Sequence, residues 1–381
     1  MRKAICTQLN GKYAAIPAVV ACIIAVALLS GIAGSSTPQL SEGERIYTSA
    51  CVACHGADGK GTSQAIAGFK QPDSFPDFTR CDQTTAEENV AYQATITYGG
   101  PYRGFSQIMP SFSKALTQQQ ITEVVRYLRS FCTNAHWPRG ELNVPRAIAT
   151  EKAYPEDEEV VTAEVNARGT PGVTNHIIHE QRFGMKNQLE VDVPLMFQDQ
   201  AHTWYGGVGD TVFGVKRVLY SSLPKGSIFA LQGEVQVPTG NRTRGFGSGT
   251  TTFGMFGMYD QLFRTNTFLQ FQGGANLPVH TDIAPQNVFF NSSIGQSFAA
   301  DHGLGRLWSP MVEFVASRDL TTGAKTDWDV LPQMQVTLSP RQHVRADLGV
   351  RIPMTDTAHR PVQLELYFLW DWADGKITEG W

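Results

Sequence analysis

Five consecutive residues decide how the first third of this 381-residue chain folds: Cys51-Val52-Ala53-Cys54-His55. Two thiols separated by two residues and followed directly by an imidazole form the C-x-x-C-H pattern of c-type haem attachment. The spacing suits that chemistry, because the thiols add across the two vinyl groups of haem and the adjacent histidine reaches one axial face of the iron. The same residues could arise by chance or bind zinc with a second ligand pair, so the surrounding sequence has to decide.

Helix signals surround the motif. Capping-box patterns at residues 41–44, 85–88 and 117–120 predict three helix starts. The first helix is expected to run to the motif and the second to end near Gly99. The third carries apolar residues at helical spacing on one face, which predicts a buried face: Ile121, Val124, Val125, Leu128 and Phe131.

Met109 lies between the second and third predicted helices, in the segment Ile108-Met109-Pro110. A thioether is a soft ligand suited to haem iron, and Met/His ligation raises the reduction potential. We therefore expect Met109 to be the second axial ligand. The alternatives are an ordinary core methionine, or a labile ligand whose release opens a peroxidase-like site.

These stretches together resemble class I c-type cytochromes, through Gly43 to Tyr47, Cys51 to Gly61, Met109 to Phe112 and Thr117 to Leu128. The resemblance implies a small all-α domain over residues 40–133 with one covalently attached haem c. It also implies Cys51 and Cys54 as the thioether anchors, with His55 and Met109 as the axial ligands of the iron.

Four cysteines lie outside the haem motif. Cys6 and Cys22 lie in the N-terminal segment, which leaves Cys81 and Cys132 as an even pair. An exported protein rarely keeps free thiols, so we predict a disulfide between them. Two free thiols are the alternative, because a sequence does not show whether the geometry permits the bond.

The N-terminus is typical of an export signal. Three basic residues precede an apolar run over residues 14–29, and small residues follow this run. We assign residues 1–34 to a signal peptide. An uncleaved anchor over residues 13–33 and lipidation at Cys22 are the alternatives, and each of the three carries the rest of the chain out of the cytoplasm.

A connecting segment follows the predicted haem domain. Residues 134–172 are rich in proline and contain the acidic run Glu156-Asp157-Glu158-Glu159. Prolines interrupt regular structure and the acids favour solvation, which predicts a linker. A docking strip or a calcium contact is the alternative.

Apolar and polar residues alternate with a period of two over much of residues 173–381. The clearest runs are 189–197, 344–352 and 362–372, and glycine- or proline-rich breaks separate such runs. This pattern is typical of half-buried strands. It predicts an antiparallel β-barrel of about 10–12 strands, each close to the length of a tilted membrane strand.

Two features favour a transmembrane barrel over a soluble sandwich or lipocalin-like barrel. Aromatic residues fall near predicted strand ends, as in membrane girdles: Trp204, Tyr205, Tyr220, Tyr259, Trp308, Trp328, Tyr367, Trp370 and Trp372. One strand face carries charges that a polar lumen would hold: Glu190, Asp192, Lys216, Glu234, Glu313, Arg345, Asp347, Arg351 and Glu365.

The whole arrangement resembles fused cytochrome–porin proteins, which include outer-membrane iron-oxidising cytochromes, and the strand pattern is similar to porin-like barrels linked to the uptake of aromatic compounds. We expect an electron-transfer protein of the outer membrane, with its haem at the periplasmic mouth or in the lumen. Its partners would be a periplasmic electron carrier or an external donor or acceptor, and lipid around the barrel. A solute channel with a redox gate, and a periplasmic haem oxidoreductase with a soluble β-domain, are the alternatives.

Composition and scattered residues limit other functions. A formal charge of −4 gives no footprint for nucleic acid. No paired carboxylates or nucleophile constellation supports substrate turnover, so a redox carrier is favoured over an enzyme. His176 and His179 could bind a metal or serve a second ligation state, although positions on the surface or in the lumen are the expectation.

Overall fold

The computed structural model describes residues 40–378 except 73–74, 85–86, 104, 134–141, 185, 223–224, 264, 300–306, 340–342 and 374–375. The predicted signal peptide at residues 1–34, with its two alternatives, lies outside the described residues. The chain from Glu42 onward belongs to one compact unit. No helix in the described part is long and apolar enough to cross a membrane.

The first part of the chain is a helical domain. Its helices are α1 (Glu42–Ala50), α2 (Val52–His55), α3 (Gln64–Ala67), α4 (Cys81–Thr84), α5 (Asn89–Tyr98) and α6 (Gln118–Leu128), with 3-10 turns at Gly100–Arg103 and Arg129–Phe131. The capping box predicted at the third start is present, because Thr117 accepts from the amide of Gln120 and its own amide donates to the Gln120 side chain. The helix predicted from residues 85–88 begins later, at Asn89.

The core of the helical domain lies between α1 and α6. Tyr47 from α1 is 1% exposed, and the predicted apolar face of α6 is buried against it through Ile121, Val124, Val125 and Leu128. The spacing of those four residues therefore explains why α6 packs against α1, and it confirms the predicted buried face. Phe131 packs on the same cluster from the 3-10 turn that follows α6.

A large antiparallel sheet follows. Its strands are β1 (Glu158–Asn166), β2 (Gly172–Arg182), β3 (Asn187–Gln200), β4 (Thr203–Val208), β5 (Thr211–Ser222), β6 (Ser227–Val237), β7 (Thr252–Leu262), β8 (Thr267–Pro278), β9 (Asn287–Gln296), β10 (Phe298–Ala299), β11 (Leu307–Asp319), β12 (Asp327–Thr337), β13 (Val344–Pro353) and β14 (Gln363–Asp371).

Twelve of these strands close into a barrel. Each pairs antiparallel with its neighbours, and the ring is completed where β14 pairs with β1 and where β9 pairs with β11. The short strands β4 and β10 extend β3 and β11 and are not separate staves. The number of barrel strands lies at the upper end of the predicted range.

The barrel wall is apolar outside and polar inside. On β3, Leu189 is 47% exposed and points outward, whereas Glu190 is 8% exposed and points into the lumen. The same alternation exposes Val215, Phe253, Met255, Ile294 and Leu348. It buries six of the nine charged residues predicted for a lumen: Glu190, Lys216, Glu313, Arg345, Asp347 and Glu365. Such a surface suits lipid and not water, so the barrel is of the transmembrane type.

One predicted girdle residue is placed differently. Trp204, Tyr220 and Trp328 are exposed near strand ends, as expected. Tyr367 is 2% exposed and faces the lumen, where its hydroxyl donates to the carbonyl oxygen of Arg146 at 2.7 Å. Side chains alternate between the two faces of a strand, so Tyr367 points into the lumen like Glu365 and Asp371. Its place in this alternation, and not its aromatic ring, decides which face it occupies.

The linker expected over residues 134–172 is corrected by the structure. Residues 158–166 form strand β1 of the barrel, and residues 142–157 lie inside the barrel as a folded-back segment that we call the plug. Three of the four residues in the acidic run are buried, and only Glu159 is partly exposed. Glu156 and Glu158 are 2% and 0% exposed, because basic side chains meet them in the lumen.

Side chains of the barrel wall satisfy the backbone of the plug. The amides of Ala149 and Glu151 donate to Glu313 on β11 and Gln272 on β8, at 3.0 and 3.2 Å. Nearer the helical domain, the amide of Ala153 donates to Asp260 on β7 at 2.7 Å. Irregular backbone at membrane depth requires such partners, and the lumen-facing side chains provide them. The tip of the plug, residues 148–151, reaches the middle of these strands.

The two ends of the barrel differ. At one end, four residues each join β2 to β3, β5 to β6 and β7 to β8, and we call this the short-turn end. Longer loops such as 238–251 lie at the other end. The helical domain contacts the short-turn end, where Val90 and Ala91 of α5 pack against Leu307 at the start of β11. A bond from Asn266 to Gln93 at 3.4 Å adds a polar contact at the same end.

Candidate functional site

The C-x-x-C-H motif lies where α1 passes into α2. The amide of Cys51 donates to Tyr47 at 2.8 Å, and that of His55 donates to Cys51 at 2.9 Å, so one helical turn carries the whole motif. The buried hydroxyl of Tyr47 donates to the carbonyl of Gly56 at 2.7 Å. This bond ties the end of the motif back to α1. Cys51 and Cys54 form no disulfide in the described part of the chain, and both are half-buried.

Glycines allow the loop after His55 to turn back on the motif. Gly59 and Gly61 have φ of 76° and 91°, in the region that favours glycine. A Cβ on Gly61 would lie 2.4 Å from the side chain of Gln71, and one on Gly59 would lie 2.8 Å from the ring of Phe131. This loop is thus closely packed against its neighbours.

The loop that carries Met109 is fastened to the end of α5. The amide of Gly100 donates to the carbonyl of Met109 at 3.0 Å, and the amide of Phe112 donates to Ile96 at 3.0 Å. A Cβ on Gly99, whose φ is 87°, would lie 3.0 Å from the Met109 carbonyl. These contacts hold Met109 against the core cluster, where it is partly buried.

All four predicted haem residues line one cavity of about 390 Å³. Cys51, Cys54 and His55 come from the motif, and Met109 comes from the loop after α5. Most of the remaining lining is apolar and includes Phe75, Phe78, Phe105, Phe112, Leu116 and Leu128. An apolar cavity with a few converging ligand groups is what a macrocyclic cofactor with two axial ligands requires.

Burial tunes the motif side chains. It lowers the pKa of His55 to about 4, so the imidazole is neutral and offers a lone pair to a metal. Burial, with a smaller contribution from Cys54, raises the pKa of Cys51 to about 11. The Nδ1 atom of His55 is buried without a hydrogen-bond partner in the described part of the chain. Together with the cavity, this donor set fits haem.

The structure joins Cys81 and Cys132 in a disulfide, with their Cα atoms 5.2 Å apart. The bond links α4 to the residue that follows the last 3-10 turn of the helical domain. Arg129, in that turn and 6% exposed, donates to Asn89 at 2.7 Å and to the carbonyl of Thr84 at 3.1 Å. The disulfide and Arg129 thus fasten the same two parts of the domain.

Sequence reasoning missed three residues of this site. Phe75 stacks on the ring of His55 with centroids 4.9 Å apart, and Phe78 lies 5.3 Å from the same ring. Arg129 donates to the side chain of Asn89 and to the carbonyl of Thr84. Its guanidinium lies over the ring of Tyr92 at 5.1 Å. No spacing pattern in the sequence marks these residues, because each acts through a contact that the fold creates.

The two histidines considered for metal binding do not share a site. His176 faces the lumen, where its Nδ1 lies 2.8 Å from a carboxylate oxygen of Asp192. His179 faces outward, 2.5 Å from a carboxylate oxygen of Glu159, and stacks on Trp372. Neither histidine lines the cavity that holds His55 and Met109.

Residues 40–131 match the family model for cytochrome c. This part of the chain is a cytochrome c domain. The cytochrome c domain therefore carries covalently attached haem c, as the sequence predicted. The comparison with curated proteins gives no match.

Three solved structures similar to this chain are a porin, an outer membrane channel and an outer membrane secretin. KdgM porin is 8% identical, covers 56% of this chain and 98% of its own, and has a TM-score of 0.39. An outer membrane channel from Pseudomonas putida F1 is 12% identical, covers 57% of this chain and 97% of its own, and has a TM-score of 0.40. A bacterial polysaccharide outer membrane secretin is 7% identical over 57% of this chain and 99% of its own, with a TM-score of 0.30.

Proposed function

We propose that this chain is an electron-transfer protein of the outer membrane, in which haem c attached to Cys51 and Cys54 has His55 and Met109 as its axial ligands. The convergence of these four side chains on one apolar cavity carries the proposal. When bound there, haem supplies a centre that gains and loses a single electron. With both axial positions taken by protein, substrate has no open coordination site, which favours a carrier over an enzyme.

The protein's own residues position and protect this centre. Cys51 and Cys54 anchor the macrocycle on the turn between α1 and α2, while neutral His55 presents a ring nitrogen. Met109 is held in place by the amide of Gly100, which donates to its carbonyl. Phe78, at 5% exposure, and the partly buried Phe112 keep water from the cavity. A dry surrounding limits reorganisation of solvent when the charge of the centre changes.

The contact between the cytochrome c domain and the short-turn end supports a periplasmic position. Barrels of the outer-membrane type have short periplasmic turns and longer external loops. Asn266, which contacts α5, lies in the four-residue connection between β7 and β8, which is among the shortest. In this orientation the haem exchanges electrons with a soluble periplasmic carrier at the mouth of the barrel.

The two alternative functions have less support. A water-soluble β-domain is inconsistent with exposed outward residues such as Met255 and Val215, at 67% and 50% exposure. A freely open solute channel is inconsistent with the plug, whose Thr150 and Ala153 are 1% and 0% exposed inside the barrel. Both observations favour electron transfer at one mouth of an occluded membrane barrel.

Sided reconstitution tests the proposal. The haem-loaded full chain is inserted into liposomes, and its orientation is read from protease cleavage of the cytochrome c domain. We expect a membrane-impermeant reductant to reduce the haem rapidly only in the population whose cytochrome c domain is protease-accessible. Reduction of the protected population at the same rate would contradict a haem confined to one mouth.

A further inference from the structure

Three carboxylates meet where the tip of the plug touches the barrel wall. Glu151 belongs to the plug, Glu190 to β3 and Glu234 to β6, and one oxygen of each lies within 4.8 Å of the others. The strand register produces the pair on the wall, because Glu190 and Glu234 both lie opposite Gly214 of β5. Strands β3 and β6 therefore present their carboxylates on either side of a residue without a side chain.

Gly214 leaves the space between these carboxylates open. A Cβ at this position would lie 3.4 Å from Glu190 Cβ and 3.4 Å from Glu234 Cγ, and 3.0 Å from the amide nitrogen of Gln232. A larger residue on β5 would thus press on all three side chains. The tip of the plug brings Glu151 to this same opening.

Gln232 provides a second, independent indication of a ligand. It is 1% exposed, and its Nε2 donates to Glu234 at 2.7 Å and to Glu190 at 3.3 Å, so its amide group lies against the carboxylates. Its Oε1 is buried and has no hydrogen-bond partner in the described part of the chain. A buried amide oxygen without a partner is costly, and a cation beside it would remove that cost.

Charge balance indicates the same missing partner. Glu151 Oε2 is also buried without a hydrogen bond among the described residues, and the ammonium of Lys216 lies 3.9 Å away. Lys216 also approaches Gln188 Oε1 at 3.5 Å. Arg146 is a second cation near Glu151 and Glu190, but its guanidinium is paired with two other glutamates. Negative charge therefore exceeds positive charge around the three carboxylates.

The donor set selects the kind of ion. All the available ligand atoms are oxygens, which favours a hard cation over the metals that prefer imidazole or thiolate. Mg²⁺ usually keeps several waters and is held by one or two carboxylates, whereas Ca²⁺ accepts more protein oxygens in a flexible arrangement. Three carboxylates and an amide oxygen at one point therefore favour Ca²⁺. The Glu151 side chain is 22% exposed, so an ion has access from the lumen.

We propose that Glu151, Glu190 and Glu234, together with the amide oxygen of Gln232, bind one Ca²⁺ that links the tip of the plug to the barrel wall. A half-turn of the Gln232 amide exchanges its nitrogen for its oxygen, so the same buried group that now donates to two carboxylates becomes a ligand. The ion fastens the plug to β3 and β6 and adds to the contacts that occlude the lumen. This site is independent of the haem.

Calcium binding to the purified, haem-loaded full chain tests the site. Equilibrium dialysis with Ca²⁺ as the probe is expected to show one ion per chain, with weaker binding of Mg²⁺. Ca²⁺ should also raise the temperature at which the barrel unfolds on a heat-modifiability gel, relative to protein in chelator. Glu151→Gln and Glu234→Gln should each weaken binding by at least about tenfold, because the number of ligand charges sets calcium affinity.

Glu164→Gln is the matched control, since Glu164 is a half-buried carboxylate of β1 outside the cluster. It should leave calcium affinity unchanged. Absence of stoichiometric binding to the folded wild-type chain would overturn the proposal, and so would equal binding by both cluster variants and wild type. Tighter binding of Mg²⁺ than of Ca²⁺ would overturn the choice of ion. Glu151 lies on the plug and not in a strand, so Glu151→Gln remains informative if Glu234→Gln does not fold.

Discussion

Met109 is the residue through which the cavity of the cytochrome c domain would control the haem potential most directly. Replacing Met109 by alanine removes the thioether but leaves Cys51 and Cys54 to hold the haem. Since methionine ligation raises the potential, we expect Met109→Ala to keep covalent haem on a denaturing gel and to lower the reduction potential. Potentiometric titration measures the shift. Ala115→Ser, at an exposed residue outside the cavity lining, is the control and should keep the wild-type potential. A potential equal to wild type in Met109→Ala would rule out the assigned ligand.

Arg146 has an equally specific role in the lumen. Its guanidinium contacts Glu158 at 2.8 Å and Glu180 at 2.9 Å, and both glutamates are fully buried. Arg146→Met would leave two buried carboxylates without their counter-charge, which costs about 3–5 kcal/mol for a pair broken in this way. We expect the barrel to unfold at a lower temperature on a heat-modifiability gel. Arg126→Met, which removes an exposed pair with Glu123, should change little.

These residues differ in how far the sequence could predict them. Cys51, Cys54 and His55 could be identified because their spacing within five residues is itself the haem-attachment pattern. Met109 could be proposed because it lies shortly before a helix with a clear capping box. Arg146 shows no such signal, because its partners on β1 and β2 are distant in sequence or lie in an acidic run that predicts solvation. Phe75 was missed for the same reason, since its contact with His55 exists only after the chain folds back.

At the scale of elements, α6 tests whether a local signal also carries stability. Thr117 caps this helix through a reciprocal pair of hydrogen bonds with Gln120. Thr117→Ala removes one side of the capping box and should destabilise the cytochrome c domain by about 1 kcal/mol. Chemical denaturation followed by haem absorbance measures the change. Gln119→Ala, at an exposed position on the first turn of the same helix, serves as the control and should unfold as wild type does.

Strands were predictable to the extent that their two faces differ. β3, β13 and β14 alternate between lipid-facing apolar residues and lumen-facing polar residues, and the period of two identified them. β1 was assigned to the linker, because Glu158 and Glu159 continue an acidic run although one faces the lumen and the other faces outward. β9 has polar residues such as Asn291 and Ser293 on its inward face. Contacts that only the closed barrel creates bury them, so the sequence alone does not show that they are buried.

On the scale of the whole molecule, the plug connects the cytochrome c domain to the barrel. Its backbone depends on side chains from many strands, among them Gln188, Asp260, Gln272, Glu313 and Gln333. No single stretch of sequence contains that set, so proline and acidic composition alone predicted a linker. The alternation of apolar and polar residues predicts that these wall side chains face the lumen, but it does not show what they bind there. They accept hydrogen bonds from the plug and do not line an open channel.

Occlusion by the plug can be measured as conductance. Replacing residues 142–157 by a short glycine–serine linker should leave the barrel strands intact, because Leu142 and Tyr154 pack in one cluster and both arms of the plug therefore begin at the same end. In planar bilayers we expect the full chain to show little current and the replaced variant to conduct several-fold more. Without the plug, only side chains of the barrel wall remain in the part of the lumen that the plug occupied. The same linker inserted in loop 238–251, at the other end of the barrel, controls for the change in composition and should not raise conductance. Equal currents from wild type and the plug variant would show that the plug does not occlude the lumen, and would return the solute channel to consideration.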